Sequence, residues 1–98
     1  MENLSISEKF EAVKPDQVFA AGRNAFADLD MEIVKDRSFA LLLQARTTGA
    51  DPINANFMVN GFKNEFSLTL TSERADPEGL QALADRFKQA LEKHLAKG

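Results

Sequence analysis

The chain has 98 residues, of which 44% are hydrophobic and 28% charged, a composition typical of a single globular domain over 1–98 rather than a disordered chain. It contains no cysteine and one histidine, which excludes disulfides, thiolate catalysis and metal sites built from several cysteines or histidines. Twelve basic and fifteen acidic residues give a net charge of −3, which disfavours a dedicated nucleic-acid-binding protein.

The first predicted strand runs from Leu4 to Val13, where apolar side chains recur at every second position. Glu8 interrupts this alternation, because it falls where an inward-facing apolar residue is expected. A carboxylate buried without a partner would indicate a functional group. A strand edge or a bulge is the simpler interpretation of Glu8, and we expect to find it in such a place.

A helix is predicted from Pro15 to about Leu29. Pro15 suits the first helical position because its missing N–H would have no partner there, and Asp16 complements the helix dipole. Gly22 lies on the apolar face of this helix, although glycine costs about 1 kcal/mol relative to alanine in a helix. We expect Gly22 to allow close packing on the sheet; a ligand approaching its backbone is the alternative.

Two further predicted strands, Met31–Lys35 and Ser38–Thr47, form a hairpin around Asp36-Arg37. Within the second strand, Phe39–Leu43 is apolar at consecutive positions. Such a run is typical of an interior strand whose two faces are both at least partly covered. We therefore expect a neighbouring element or a partner to cover its outer face.

Asn60-Gly61 is the strongest local signal in the chain, since Asn-Gly between alternating runs is typical of a two-residue type I′ turn. A loop at 48–52 and an alternating strand, Ile53–Val59, precede it. The turn sets a register whose inward pairs agree with the apolar alternation, namely Val59 with Phe62, Ala55 with Phe66 and Ile53 with Leu68.

The last helix begins at Asp76-Pro77-Glu78, which supplies an N-cap, a first-position proline and a favourable charge. Its apolar stripe continues to the end of the chain through Leu80, Leu83, Ala84, Phe87, Leu91 and Leu95. The predicted order of elements is β-α-β-β-β-β-α. Consecutive strands joined by short connections must be antiparallel. Two helices, each with one apolar face, can cover only one face of the sheet. The predicted fold class is α+β, a two-layer, mainly antiparallel five-stranded sheet with two helices on one face.

No phosphate-binding loop, zinc-protease motif or nucleophile motif is present, so we predict no catalytic, cofactor-binding or metal-binding residues and no enzymatic activity. His94 lies near the chain end, where we expect a surface or boundary residue of the helix. Asp28, Asp30 and Glu32 are similar to the start of a calcium loop, but Ile33 replaces the required glycine. A solvated junction is the interpretation we favour over a weak cation site.

All eight aromatic residues are phenylalanines, which either form the core or line a pocket for an apolar ligand between the long helix and the sheet. Packing them leaves little free volume in so short a chain, which favours the core. The pocket remains as the alternative, and it would make this chain a small carrier for an apolar or amphipathic ligand.

The outer sheet face, which no helix is predicted to cover, is the most informative surface. If Thr47 opposes Ile53, then Leu42 opposes Met58 and Gln44 opposes Asn56. Lys63, Glu65 and Ser67 are expected to continue these rows on the next strand. An apolar centre with a polar rim is typical of a contact surface. The candidate partner face comprises Ala40, Leu42, Gln44, Arg46, Asn54, Asn56 and Met58.

The leading functional hypothesis is a non-catalytic protein-interaction module that forms a homodimer through this face or binds another protein. The carrier described above is the alternative, and nucleic acid and membranes are not expected as partners. The first residues show neither a basic segment nor an apolar segment of the kind found in signal peptides, so we expect a cytoplasmic location.

Overall fold

The computed structural model describes residues 2–49, 51–74 and 76–97. Five strands and two long helices follow one another in the predicted order. They are β1 (Glu2–Lys9), α1 (Pro15–Asp28), β2 (Glu32–Arg37), β3 (Leu42–Arg46), β4 (Asn54–Asn60), β5 (Glu65–Ser72) and α2 (Pro77–Lys97), with a 3₁₀ turn at Ser38–Ala40. The predicted loop at 48–52 includes Ala50, which lies outside the described residues.

The five strands form one antiparallel sheet in the order β1-β5-β4-β3-β2. The chain places β1 at one edge, crosses with α1 to the opposite edge, and returns strand by strand until β5 pairs with β1. Helix α1 contacts β2, β3 and β4, whereas α2 contacts β1 and β5. The predicted α+β fold class is confirmed.

The hydrophobic core lies between the two helices and the inner face of the sheet. Alternate residues of β4 and β5 are buried, as expected for strands with one covered face. The inner rings contact one another, with Phe26 and Phe87 centroids 4.7 Å apart and Phe57 and Phe87 centroids 5.2 Å apart. Six of the eight phenylalanines are buried: Phe10, Phe19, Phe26, Phe57, Phe66 and Phe87.

The first strand ends earlier than predicted, at Lys9 instead of Val13. Ala12 has a φ of 63°, a left-handed conformation that cannot continue a strand. The N–H of Phe10 donates a hydrogen bond to the carbonyl oxygen of Asn64 at 2.8 Å, so the chain is still tied to the sheet just past the strand. Glu8 is exposed near the end of this edge strand, as expected, and its carboxylate pairs with Lys88 at 3.2 Å.

The predicted turn at Asp36-Arg37 is wrong, because β2 runs through Arg37 and the chain reverses in the 3₁₀ turn at Ser38–Ala40. Leu41 ends this turn with a φ of 53°. The apolar run Phe39–Leu43 is therefore not one interior strand. Phe39 and Ala40 lie in an exposed turn, whereas Leu42 and Leu43 begin β3. The run therefore does not require an element that covers both faces of one long strand.

The predicted type I′ turn at Asn60-Gly61 is also wrong. Strand β4 pairs with β5 from Asn60 opposite Glu65, so four residues, 61–64, form the loop. The left-handed residue in this loop is Asn64, with a φ of 51°, while Gly61 is not among the residues of positive φ. Val59 consequently lies opposite Phe66, four residues beyond the predicted Phe62. An even shift preserves which residues face inward.

Helix α2 begins as predicted. The N–H of Gly79 donates a hydrogen bond to the Asp76 carboxylate at 2.7 Å, which identifies Asp76 as the N-cap. The stripe Leu80, Leu83, Ala84, Phe87 and Leu91 is buried, and Leu95 is half-buried at its end. Among the described residues, neither helix combines the length and the apolar character that a membrane-crossing segment requires.

Candidate interaction surface

The outer face of the sheet presents three rows of side chains that cross four strands. Their registers follow from the strand pairing: Leu42–Met58–Ser67–Ser7, Gln44–Asn56–Thr69–Ser5 and Arg46–Asn54–Thr71–Asn3. The predicted pairs of Leu42 with Met58 and of Gln44 with Asn56 are therefore confirmed. Thr47 also opposes Ile53, because its N–H donates to the Ile53 carbonyl oxygen at 3.0 Å.

The middle row is uncharged and polar. The hydroxyl groups of Ser5 and Thr69 are 3.1 Å apart and share a hydrogen bond. The Oδ1 atom of Asn56 is buried between its neighbours, and within the described residues it accepts no hydrogen bond. A shallow depression of about 230 Å³, bordered by Gln44 and Val34, lies over this part of the sheet. The centre of the face is thus polar, which differs from the predicted apolar centre.

The polar rim toward the β2 edge carries an ion pair. Arg46 donates to the Glu32 carboxylate through both Nε and Nη2 at 3.3 Å. Both side chains are about half exposed, so the pair contributes little to stability. It does, however, hold the Arg46 guanidinium at the border of the face.

The apolar surface is concentrated at one end of the face, beside the loops that follow β2 and β4. Phe39 is 87% exposed and Phe62 is fully exposed, and Met58 is 47% exposed beside them. A groove of about 690 Å³ runs between the two loops. We call this surface the apolar end patch, which consists of Phe39, Ala40, Leu41, Met58 and Phe62.

Both loops that carry these phenylalanines are held by hydrogen bonds. The Oδ1 atom of Asn60 accepts from the N–H groups of Phe62 and Lys63, at 3.0 and 3.2 Å. On the other loop, the carbonyl oxygen of Leu41 accepts from the N–H of Val59 at 3.0 Å. The exposed rings therefore project from anchored turns.

Six of the seven residues of the predicted partner face lie on the strands of the outer face. Ala40 does not, because it ends the 3₁₀ turn and borders the groove of the apolar end patch. Ser67 continues the row of Met58 as predicted, whereas Lys63 lies in the loop and Glu65 opposes Asn60.

Sequence reasoning missed Phe39 and Phe62 as surface residues. The signal for Phe62 was available in Asn60, Gly61, Lys63 and Asn64, a cluster of polar and turn-forming residues on both sides of it that indicates a longer loop. Phe39 carried no comparable signal, since an apolar run predicts a strand.

The residues weighed for catalysis or metal binding lie apart from this face or pair with other residues. His94 Nε2 is 2.7 Å from an Asp28 carboxylate oxygen, where α2 crosses α1. Of the other two acids in that run, Glu32 pairs with Arg46, and Asp30 adopts a φ of 56° in the turn after α1. Among the described residues, no three His, Asp or Glu side chains are grouped closely enough to hold a metal ion.

No protein-family model matches the chain, and the search of curated proteins finds no match either.

Proposed function

We propose that this chain is a non-catalytic protein-interaction module that associates with a second copy of itself through the outer face of the sheet. The observation that supports this proposal is the placement of both helices on the inner face, which leaves the Leu42–Met58 row and the apolar end patch uncovered. Contiguous exposed apolar surface on a small domain is typical of an interaction site.

The size of the chain is compatible with such an interface. A standard protein–protein interface requires about 800 Å² from each partner. The molecule exposes 6084 Å² in total, so about an eighth of its surface would be enough. A five-stranded sheet whose strands have 5–8 residues and lie about 4.8 Å apart covers roughly 500 Å² in projection, so the loops of the apolar end patch would have to contribute the rest.

The polar rows would supply the hydrogen-bonding part of the same interface. Gln44, Asn56 and Thr69 offer uncharged donors and acceptors, whose burial against a partner costs less than the burial of charges. Interfaces usually combine an apolar region with a polar border that forms direct and water-mediated hydrogen bonds. The outer face therefore provides both parts of a contact surface.

The carrier remains an alternative prediction, and no observation favours it over the interaction module. Phe57 contacts the rings of Phe26, Phe66 and Phe87, so these side chains are packed on one another rather than around a space. A pocket for an apolar ligand would require these rings to separate.

The experiment that tests the proposal compares the parent chain with the double variant Leu42→Asp and Met58→Asp by light scattering, over concentrations up to high micromolar. We expect a concentration-dependent dimer of the parent, and a monomer for the double variant, because two carboxylates would be buried in the interface. Ala82→Asp, on the exposed side of α2, is the matched control and should remain dimeric. Circular dichroism of each variant checks that it is folded.

A parent chain that stays monomeric over the whole range would refute self-association. A dimer whose affinity is unchanged in the folded double variant would place the interface elsewhere on the molecule.

A further inference from the structure

We propose that the free edge of β1 binds an extended segment of another protein, which adds to the sheet as a further antiparallel strand. The proposal goes beyond self-association, because it concerns an edge of the sheet and not its outer face. Among the residues that the structure describes, β1 pairs with β5 on one side and with no strand on the other. Its second side therefore carries main-chain groups that a further strand can use.

The hydrogen bonding of β1 shows which of its residues face the free edge. The N–H of Phe10 donates to the carbonyl oxygen of Asn64, and this pair continues the β1–β5 register. In an antiparallel ladder, pairs that exchange hydrogen bonds alternate with pairs that do not. The even-numbered residues of β1 are therefore bonded to β5. The odd-numbered residues direct their N–H and C=O groups away from the sheet, namely Asn3, Ser5, Ser7 and Lys9.

An extended main chain matches these outward groups along the whole edge. The outward residues are two positions apart, so each N–H and C=O pair recurs after about 6.8 Å of strand. A second strand repeats its own donors and acceptors at the same spacing, whereas a helix bonds its main-chain groups internally. Strand addition to an exposed edge is a recurring mode of peptide recognition, in which main-chain hydrogen bonds supply the affinity.

The inward side chains of β1 define one face of the added segment. Leu4 lies opposite Leu70 of β5. Ile6 lies opposite Leu68. Both β5 leucines are 1% exposed, whereas Leu4 and Ile6 are only partly buried, because no described strand lies beyond them. Side chains of an added strand would lie about 4.5–5.5 Å from theirs on the same face, so the segment should carry apolar residues at alternate positions.

The outer side chains of β1 define the other face of the segment. From Asn3 to Ser7 the strand contains no charged residue, and its outer positions carry one amide and two hydroxyl groups. Like charges that face each other destabilise a strand pair, and this stretch of β1 presents none to a partner. A segment that alternates apolar residues with uncharged polar residues therefore matches both faces.

The opposite edge of the sheet is protected against such an addition. The register of β2 shifts between Ile33 and Lys35, a bulge of the kind that interrupts an edge. Four of the six residues of β2 are charged, and Asp36 pairs with Arg23 of α1 at 2.8 Å. In contrast, β1 pairs over all eight of its residues without a shift. Charges and bulges are the usual protection of edge strands, and the middle of β1 has neither.

The probe for this edge is a peptide with the sequence of β5, Glu65–Ser72, acetylated at its first residue and amidated at its last. This sequence alternates apolar with hydroxyl-bearing residues, and in the protein it pairs with the other side of β1. We expect the peptide to bind the full chain and to slow amide hydrogen exchange at Ser5 and Ser7. The amides of Leu4 and Ile6 should be protected both with and without the peptide, because they are bonded to β5.

Ser5→Pro tests the main-chain contact from the protein side. Proline removes the outward N–H and leaves the β1–β5 hydrogen bonds in place, since an edge strand tolerates proline where its N–H faces solvent. We expect the peptide dissociation constant, measured by NMR titration, to rise about ten-fold or more. Ser5→Ala is the matched control: both variants lose the hydroxyl contact with Thr69, but alanine keeps the N–H, so the constant should change by less than about three-fold.

Two N-methylated peptides test the same contact without changing the protein. In the added strand, the residue equivalent to Thr69 has its N–H directed at β1, whereas the N–H equivalent to that of Leu68 points away from it. We expect methylation at the first position to abolish binding and methylation at the second to retain it.

Absence of peptide binding to the folded chain, or equal binding of the two methylated peptides, would overturn the proposal. Protection of Ser5 and Ser7 in the concentrated free chain, lost on dilution and in Ser5→Pro, would assign the edge to a second copy instead. The outcome is separate from that of the outer face, because Leu42 and Met58 lie on β3 and β4. The Leu42→Asp and Met58→Asp double variant should therefore bind the peptide like the parent, whether or not the parent is a dimer.

Discussion

Gly22 of α1 lies directly against the ring of Phe57 of β4. A methyl group built on Gly22 would stand within 3.0 Å of three ring atoms of Phe57, which is closer than real side-chain contacts allow. Gly22 is therefore required for the close approach of the helix to the sheet, as predicted from its position on the apolar face. This contact is also central to the core, because Phe57 in turn packs on Phe26, Phe66 and Phe87.

Gly22→Ala should destabilise the protein, although alanine is the better helix former by about 1 kcal/mol. The added methyl group overfills a fully packed contact, for which a net loss of about 1–3 kcal/mol is expected. Urea unfolding measures the difference. Asn24→Ala, on the exposed side of the same helix, should be neutral or slightly stabilising, and equal stability of the two variants would contradict the contact.

Phe87→Ala should lower the free energy of unfolding by about 3–5 kcal/mol, because it leaves a cavity among packed rings. In so small a domain such a loss approaches the whole stability, so thermal unfolding followed by circular dichroism is the suitable measurement. The neighbouring Gln89→Ala, on the exposed side of α2, should change stability by less than about 0.5 kcal/mol. Comparable losses of stability at both positions would mean that the buried face of α2 is assigned incorrectly.

Asn64 is the residue on which the β4–β5 loop depends. Its φ of 51° is tolerated by asparagine and glycine but not by β-branched residues, and its carbonyl oxygen also accepts a hydrogen bond from Phe10. We expect Asn64→Val to cost about 1–3 kcal/mol in chemical denaturation and Asn64→Gly to be nearly neutral. If Gly61→Val proved the more damaging substitution, the type I′ turn rejected above would have to be reconsidered.

Chelation and loss of the histidine should have small effects. Within the part of the chain that the structure describes, His94 pairs with Asp28, and a partly exposed pair of this kind is worth less than about 1 kcal/mol. We expect the melting temperature to be unchanged by EDTA and to fall by no more than a few degrees in His94→Gln. A fall of many degrees on chelation alone would point to a cation bound by the acidic run at Asp28, Asp30 and Glu32.

The candidate surface was predictable only in part. The register of β3 against β4 was predicted on the assumption that Thr47 opposes Ile53 across the 48–52 loop. Because that pair is observed, Leu42, Met58, Gln44 and Asn56 lie where they were expected. The position of the exposed apolar surface could not be predicted in this way, because Phe39 and Phe62 were expected to face inward. Their exposure depends on where the chain reverses, and a reversal is decided by backbone contacts that lie far apart in the sequence.

Local properties of the sequence determine three features of this protein: the order of the elements, the beginning of α2 at Asp76 and the buried stripe of α2. These properties are side-chain periodicity, proline geometry and helix capping. The tertiary structure alone decided the reversals and the strand order. A four-residue loop after Asn60 leaves the same residues facing inward as a two-residue turn would, so the alternation could not distinguish them. Two long-range hydrogen bonds are associated with the observed reversals, from Phe10 to Asn64 and from Val59 to Leu41. The pairing of β1 with β5 likewise joins strands that are more than fifty residues apart, which no local pattern can specify.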